Sequence, residues 1–153
     1  MRLLDSSIWI AFNRIGELQI LLQVPELAAA PVVAEELRRG RDDLASSIRN
    51  LVRPEIRTES DDPAASTLVW ILENQGISQA DAAQIVYAQA HPQDAVLYMR
   101  DHPAEQVAAR IGVGIRGHTD LVREMQDLGL IDTQRAHEIL ERLQAYFERR
   151  GRR

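Results

Sequence analysis

Apolar positions follow two patterns along the chain: short continuous runs bounded by turn residues, and longer stretches with a three-to-four-residue repeat. The short runs are Leu3-Leu4 behind Arg2, residues 27–30, Ala95-Val96-Leu97-Tyr98-Met99, and residues 112–115. A continuous apolar run with turn signals before it predicts a strand buried on both faces, as in a parallel sheet. The repeating stretches predict helices. Residues 6–14 and 17–23 form two, broken at Gly16, with Pro25 ending the second. Pro31 enters a third over residues 32–39, which stops near Gly40. Residues 42–52 have helical spacing at Leu44, Ile48, Leu51 and Val52, and residues 53–60 are a connector. Asp62-Pro63 puts a cap before a proline at the first helical position; that helix runs through Leu68, Val69, Ile71 and Leu72 to Gly76. Ser78-Gln79-Ala80-Asp81 opens another, with Ile85, Val86 and Ala90 on one side and Pro92 at its end. Residues 103–110, 118–128 and 133–149 complete the set, the last two separated by Gly129.

Short apolar strands alternating with helices predict an α/β fold: a three-layer α/β/α sandwich with a short, mainly parallel sheet. With 153 residues, the chain predicts one domain over residues 1–153, in which 143–153 are a helix end and a basic tail. No stretch approaches the ~18 apolar residues of a membrane span. Asp5 interrupts the N-terminal apolar run, so no signal peptide is expected and the cytoplasm is the default compartment. The absence of cysteine excludes disulfides, thiolate catalysis and cysteine-ligated zinc.

The net charge of −5 argues against a globally basic nucleic-acid binder. All 18 basic residues are arginine. A Walker lysine, a Schiff-base lysine and the lysine of a receiver-type phosphoacceptor domain are therefore excluded. Arginines cluster at Arg38-Arg39-Gly40-Arg41 and at Arg149-Arg150-Gly151-Arg152-Arg153. Each cluster reads as a phosphate contact or as a solvated helix end.

Four acids occupy related positions. Asp5 and Asp101 each follow an apolar strand, Glu36 lies one turn into the helix after the 27–30 strand, and Asp81 lies in the first turn of the helix before the Asp101 strand. At the carboxyl edge of a parallel sheet these positions converge, and like charges in one place disfavour ionisation unless a cation neutralises them. Carboxylate oxygens without histidine or cysteine suit Mg²⁺ or Mn²⁺, and such a centre performs metal-assisted phosphoryl chemistry. Each acid also has a local explanation. Asp5 and Asp101 read as N-caps, Ser78-x-x-Asp81 as a capping box, and Glu36 as a partner for Arg39.

Taken in order, Leu3-Leu4-Asp5-Ser6-Ser7, Val32-Val33-Ala34-Glu35-Glu36-Leu37, Asp81-Ala82-Ala83-Gln84-Ile85 and Leu97-Tyr98-Met99-Arg100-Asp101 resemble the motifs of PIN-domain nucleases, including the VapC-type toxins of toxin–antitoxin pairs. The segment from Gly114 to Val122 is similar to the family's closing strand and Gly-Thr turn. The resemblance implies a PIN-like fold and a divalent-metal-dependent endoribonuclease that cuts single-stranded RNA, leaving a 5′ phosphate and a 3′ hydroxyl. It implies that Asp5, Asp101, Glu36 and Asp81 are the catalytic, Mg²⁺- or Mn²⁺-binding acids, with Asp5 and Asp101 closest to the metal. Ser7 and Thr119 would support them from behind, and Arg38, Arg39 or Arg116 would hold outlying RNA phosphates. It further implies a homodimer and, in toxin members, a cognate antitoxin protein.

The chain departs from the family pattern at three places. Met99 stands where a hydroxyl is common, His102 and Gln106 stand where one branch has an acid and an arginine, and Asp81 stands where that branch has the longer Glu. These departures motivate an alternative, a catalytically impaired PIN-like binding or assembly module. His91, His102, His118 and His137 lack paired metal spacing. Trp9 and Trp70 lie in apolar helices and read as core or interface. Glu35 and Glu36, about 100° apart on a helix, cannot both face one site.

Overall fold

The computed structural model describes residues 1–40, 43–57 and 62–151. Four strands, β1 (Arg2–Leu4), β2 (Leu27–Ala28), β3 (Val96–Tyr98) and β4 (Ile115–Arg116), form an all-parallel sheet in the order β2-β1-β3-β4. Arg2, Leu3 and Leu4 pair with Val96, Leu97 and Tyr98, and Arg2 and Leu3 pair on the other side with Leu27 and Ala28. Leu3, Leu4, Leu97 and Tyr98 are fully buried, as expected for strands covered on both faces.

The helices among the described residues are α1 (Ser6–Arg14), α2 (Leu18–Leu21), α3 (Pro31–Arg39), α4 (Leu44–Ser47), α5 (Pro63–Asn74), α6 (Gln79–Ala90), α7 (His102–Arg110), α8 (His118–Asp127) and α9 (Thr133–Gly151). Helix α1 packs on α3 and α9, and α9 on α8; α6 packs on β3, α5 and α7. From β1 the chain moves through α1 and α2 to β2 on one side. From β3 it moves through α7 to β4 on the other. The gap between β1 and β3 is therefore the point where strand order reverses, and the carboxyl edge of an open α/β sheet opens a crevice there. None of the described helices is long and apolar enough to cross a membrane.

Several boundaries differ from the apolar pattern because ladder partners, not hydrophobicity, end a strand. The expected strand at 27–30 shrinks to Leu27–Ala28, with Ala29 making only an isolated bridge to Val52. That bridge also breaks the expected 42–52 helix into α4 and a 3₁₀ turn at Arg49–Leu51, because Val52 must be extended to reach Ala29; Asp42 lies outside the described residues. The expected strand at 112–115 moves to Ile115–Arg116. Gly112 instead turns the chain out of α7 at φ +82°, a conformation that would strain a side chain there. The two tryptophans part company. Trp9 is fully buried in the core, whereas Trp70 on α5 is 63% exposed beside the exposed Ile71.

Candidate metal centre at the carboxyl edge

Asp5 leaves the carboxyl end of β1 in extended conformation and caps α1: its Oδ1 accepts from the Ile8 amide at 2.9 Å and from the Ser7 hydroxyl at 2.9 Å. The cap explanation for Asp5 is thus correct, and incomplete. Its other oxygen, Oδ2, accepts from the Arg100 amide at 2.8 Å, just past β3. One carboxylate ties the ends of two neighbouring parallel strands together. Its side chain is buried, and burial raises its pKa above the ordinary value; the three hydrogen bonds oppose that rise and the charge on Asp101 adds to it.

Asp101 occupies the N-cap position of α7, yet its side chain makes no capping hydrogen bond. Its carboxylate is half-buried and near enough to raise the pKa of both Asp5 and Asp81. Asp81 resolves in the same direction. Ser78 caps α6 by accepting from the Asp81 amide at 3.1 Å, but the Asp81 carboxylate returns no bond to the Ser78 backbone. Only half of the expected capping box forms, and the carboxylate, beside the Ser78 side chain, is buried. It is 8% exposed, and its pKa is pushed up to about 7, first by burial and then by the charges of Asp5, Asp101 and Glu36. The charges of the other three acids all act on this carboxyl in the same direction, and the Ser78 hydroxyl opposes them.

Glu36 joins from α3, where its Oε2 accepts from the Ser6 hydroxyl at the start of α1. Its neighbour Glu35 points outward and pairs with Arg38 at 2.6 Å and Arg39 at 3.6 Å. The helical register thus sends one glutamate to the edge and the other to solvent.

Sequence reasoning missed two residues beside these acids. Gln84, one turn beyond Asp81, is fully buried and donates to the Leu4 carbonyl at 3.3 Å, bracing α6 against the end of β1; its Oε1 has no partner among the described residues. The only signal was an amide at i+3 from Asp81 in an otherwise apolar stretch. Arg100 supplies the amide that holds Asp5, and its guanidinium lies over the Phe147 ring at 3.9 Å. A backbone donor carries no sequence signature.

The remaining candidates lie further out. Thr119, the second residue of α8, lines a hollow with Arg100, His118 and Phe147 and makes no hydrogen bond among the described residues. Arg38 and Arg39 are exposed. The Arg116 guanidinium is engaged by Glu124, which also accepts from the Tyr98 hydroxyl. Met99 is fully buried, so the common hydroxyl position is filled by core packing. His102 and Gln106 are exposed on α7, their side-chain nitrogens 3.1 Å apart.

By donor chemistry alone, the four acids suit a hard divalent cation. The donor set consists of carboxylate oxygens, it has no lysine or arginine side chain bonded into it, and its mutual repulsion would be relieved by positive charge. Among the described residues no three or more acids or histidines lie close enough together to hold a metal ion as they stand. Mg²⁺ typically keeps several waters and takes only one or two carboxylates directly, so an open arrangement suits it.

A family model described as a PIN domain matches residues 1–150. No curated protein and no solved structure matches the chain.

Proposed function

The chain belongs to the PIN-domain family, a nuclease-type fold, and we propose that it is a Mg²⁺- or Mn²⁺-dependent endoribonuclease acting on single-stranded RNA. The observation that carries this reading is Asp81: a buried carboxyl on α6 whose pKa is raised to about 7 in part by Asp5, Asp101 and Glu36, drawn from three other elements at the strand-order reversal.

Asp5 and Asp101 would hold the cation, and Glu36 and Asp81 would complete its surroundings. A bound divalent ion supplies charge neutralisation and a lowered water pKa for in-line attack on the phosphodiester. Asp5 arrives already oriented, because three donors on two chain segments hold its oxygens. Glu36 is oriented by Ser6, and Ser7 fixes Asp5 from behind. Burial and the charges of Asp5, Asp101 and Glu36 favour a proton on Asp81 below about pH 7, and a bound cation would favour its release. Thr119 lies in the hollow beside Arg100 on the α8 side, and Arg38 and Arg39 stand ready for outlying phosphates, their exposed pairings with Glu35 contributing little stability to lose. Arg116 takes that role only by leaving Glu124.

The toxin role and an antitoxin protein partner rest on the resemblance of the motifs to VapC-type chains. Homodimerisation has in addition an exposed apolar surface on α5, at Trp70 and Ile71. A second reading, a PIN-like binding module without a working centre, draws on Met99 in the hydroxyl position. Titration with Mn²⁺ separates the two, since a module without a centre takes up no metal.

Asp101→Asn is the cleanest test, because the Asp101 side chain makes no capping bond whose loss would disturb the fold. Wild-type protein should cleave single-stranded RNA only with Mg²⁺ or Mn²⁺, and Asp101→Asn should cleave at least ~10²-fold more slowly, with an unchanged circular dichroism spectrum. Cleavage by Asp101→Asn at the wild-type rate sinks the mechanism.

A further inference from the structure

Away from the acids, the last turn of α1 and the last turns of α9 come together around an open groove of about 590 Å³. Arg14, Arg142, Arg149 and Arg150 line it, with Tyr146 among them; none of its described lining residues is acidic. In a chain of net charge −5 this concentration of guanidinium groups runs against the overall balance. Arginine in a helix's last turn has a plain explanation, since it complements the helix dipole. That does not account for two helix ends converging, nor for Arg142, which sits mid-helix. Arg142 is anchored by Glu17 at 2.8 Å and by the Ile15 carbonyl, so its guanidinium is held in place at the groove. Among the described residues Arg149 and Arg150 meet neutral oxygens, the Ala145 carbonyl at 3.4 Å and the Tyr146 hydroxyl at 2.8 Å.

We propose that this groove binds the phosphodiester backbone of single-stranded RNA and leads it to the acidic edge, an inference that rests on the nuclease reading for what happens at that edge. Two connections tie groove to edge. Helix α1 is capped by Asp5 and ends at Arg14, about 14 Å away at 1.5 Å per residue. On α9, Tyr146 faces the groove while its neighbour Phe147 lies under the Arg100 guanidinium beside Asp101. A row of guanidinium groups with an aromatic ring among them is the arrangement by which single strands are held without sequence preference: cations track the phosphates and rings receive bases. An acidic protein segment would use the cations but has no use for the ring.

The test is fluorescence anisotropy with the full chain in EDTA, using a labelled single-stranded RNA of about 12 nucleotides across a salt series. Cleavage of the same RNA is followed separately with Mn²⁺. The triple variant Arg14→Ala, Arg149→Ala, Arg150→Ala leaves the anchored Arg142 in place. It should bind at least about tenfold more weakly, with the slope of log K against log salt smaller by about 2, near 0.7 for each lost phosphate contact. In cleavage its KM should rise while kcat is kept. If the triple variant does not fold, the single variants Arg149→Ala and Arg150→Ala should each lower the slope by about 0.7. A wild-type protein that cleaves RNA, beside variants that bind with wild-type slope and affinity, overturns the groove. So does poly-glutamate competing as well as RNA of equal charge, which would assign the groove to an acidic protein. A wild-type protein that binds RNA with this slope, loses it in the variants and never cleaves leaves the groove standing and removes the nuclease reading.

Discussion

Replacing Asp81 by asparagine should stabilise this protein at alkaline pH in the absence of divalent ions. The Asp81 carboxyl titrates near 7 in the folded chain against an ordinary 3.8, because it is buried and faces Asp5, Asp101 and Glu36. Between those two pH values the folded state keeps a proton that the unfolded state has lost. Stability contributed by that proton is fully present only below pH 3.8, falls as pH rises, and is gone above about 7. Over the whole window the loss amounts to about 4 kcal/mol at 1.36 kcal/mol per pKa unit, with little screening since the side chain is 8% exposed. Asparagine has nearly the shape of the protonated acid and no charge. Urea unfolding in EDTA should therefore give coincident stabilities for wild type and Asp81→Asn near pH 4, and a variant more stable by about 2–4 kcal/mol at pH 8. Part of that gain arrives through Asp5 and Asp101, which lose a neighbouring like charge. Adding Mn²⁺ at pH 8 should close the gap, since a cation stabilises the four-acid form by binding the folded state. A variant no more stable than wild type at pH 8 in EDTA would refute the reasoning: Asp81 would then be solvated or far from the other three acids.

Asp5→Asn should lose more than charge. Its amide nitrogen must face either the Arg100 amide or the Ile8 amide, both donors, leaving a buried N–H unsatisfied. A cost of about 1–3 kcal/mol is expected in urea unfolding at neutral pH, offset in part by relief of repulsion, and Asp5→Asn should fall below Asp101→Asn in stability. Equal stabilities of the two variants would show that the bond to Arg100 contributes nothing. Glu17, 3% exposed, holds both Arg135 and Arg142 at the α1–α9 contact. Glu17→Gln should cost about 2 kcal/mol, a value below that of a fully buried pair because both arginines are partly exposed. A change under ~0.5 kcal/mol in its urea midpoint would place that pair among ordinary surface pairs.

The order of elements was legible from periodicity and turn residues because burial on one helical stripe, or on both faces of a strand, writes a local pattern. Asp5 was legible as an acid at a strand end and as a cap, since both follow from its immediate neighbours. The capping box at Ser78 was half right: the hydroxyl caps, and the Asp81 carboxylate does not return the bond. The raised pKa of that carboxyl has no local signature either, because the charges of Asp5 and Asp101 that contribute to it come from 76 and 20 residues away in sequence. Between Glu35 and Glu36 the motif pattern favoured Glu36; in the fold Glu36 accepts from Ser6 while Glu35 pairs with Arg38 and Arg39. The three arginines read as phosphate contacts turned out to have glutamate partners, while the groove on α1 and α9 joins residues that no motif relates.

By itself the sequence determined which segments become strands and helices, which acids end them, and that the chemistry available is that of oxygen ligands and guanidinium groups. Only the tertiary structure decided that β1 and β3 are neighbours at the reversal of strand order. From that follow the bond from the Arg100 amide to Asp5 across the two strand ends and the raised pKa of Asp81. The physical reason is range. Burial preference and capping act over a few residues and leave a trace in their spacing, whereas a carboxylate's pKa depends on distances to charges set by the path of the whole chain.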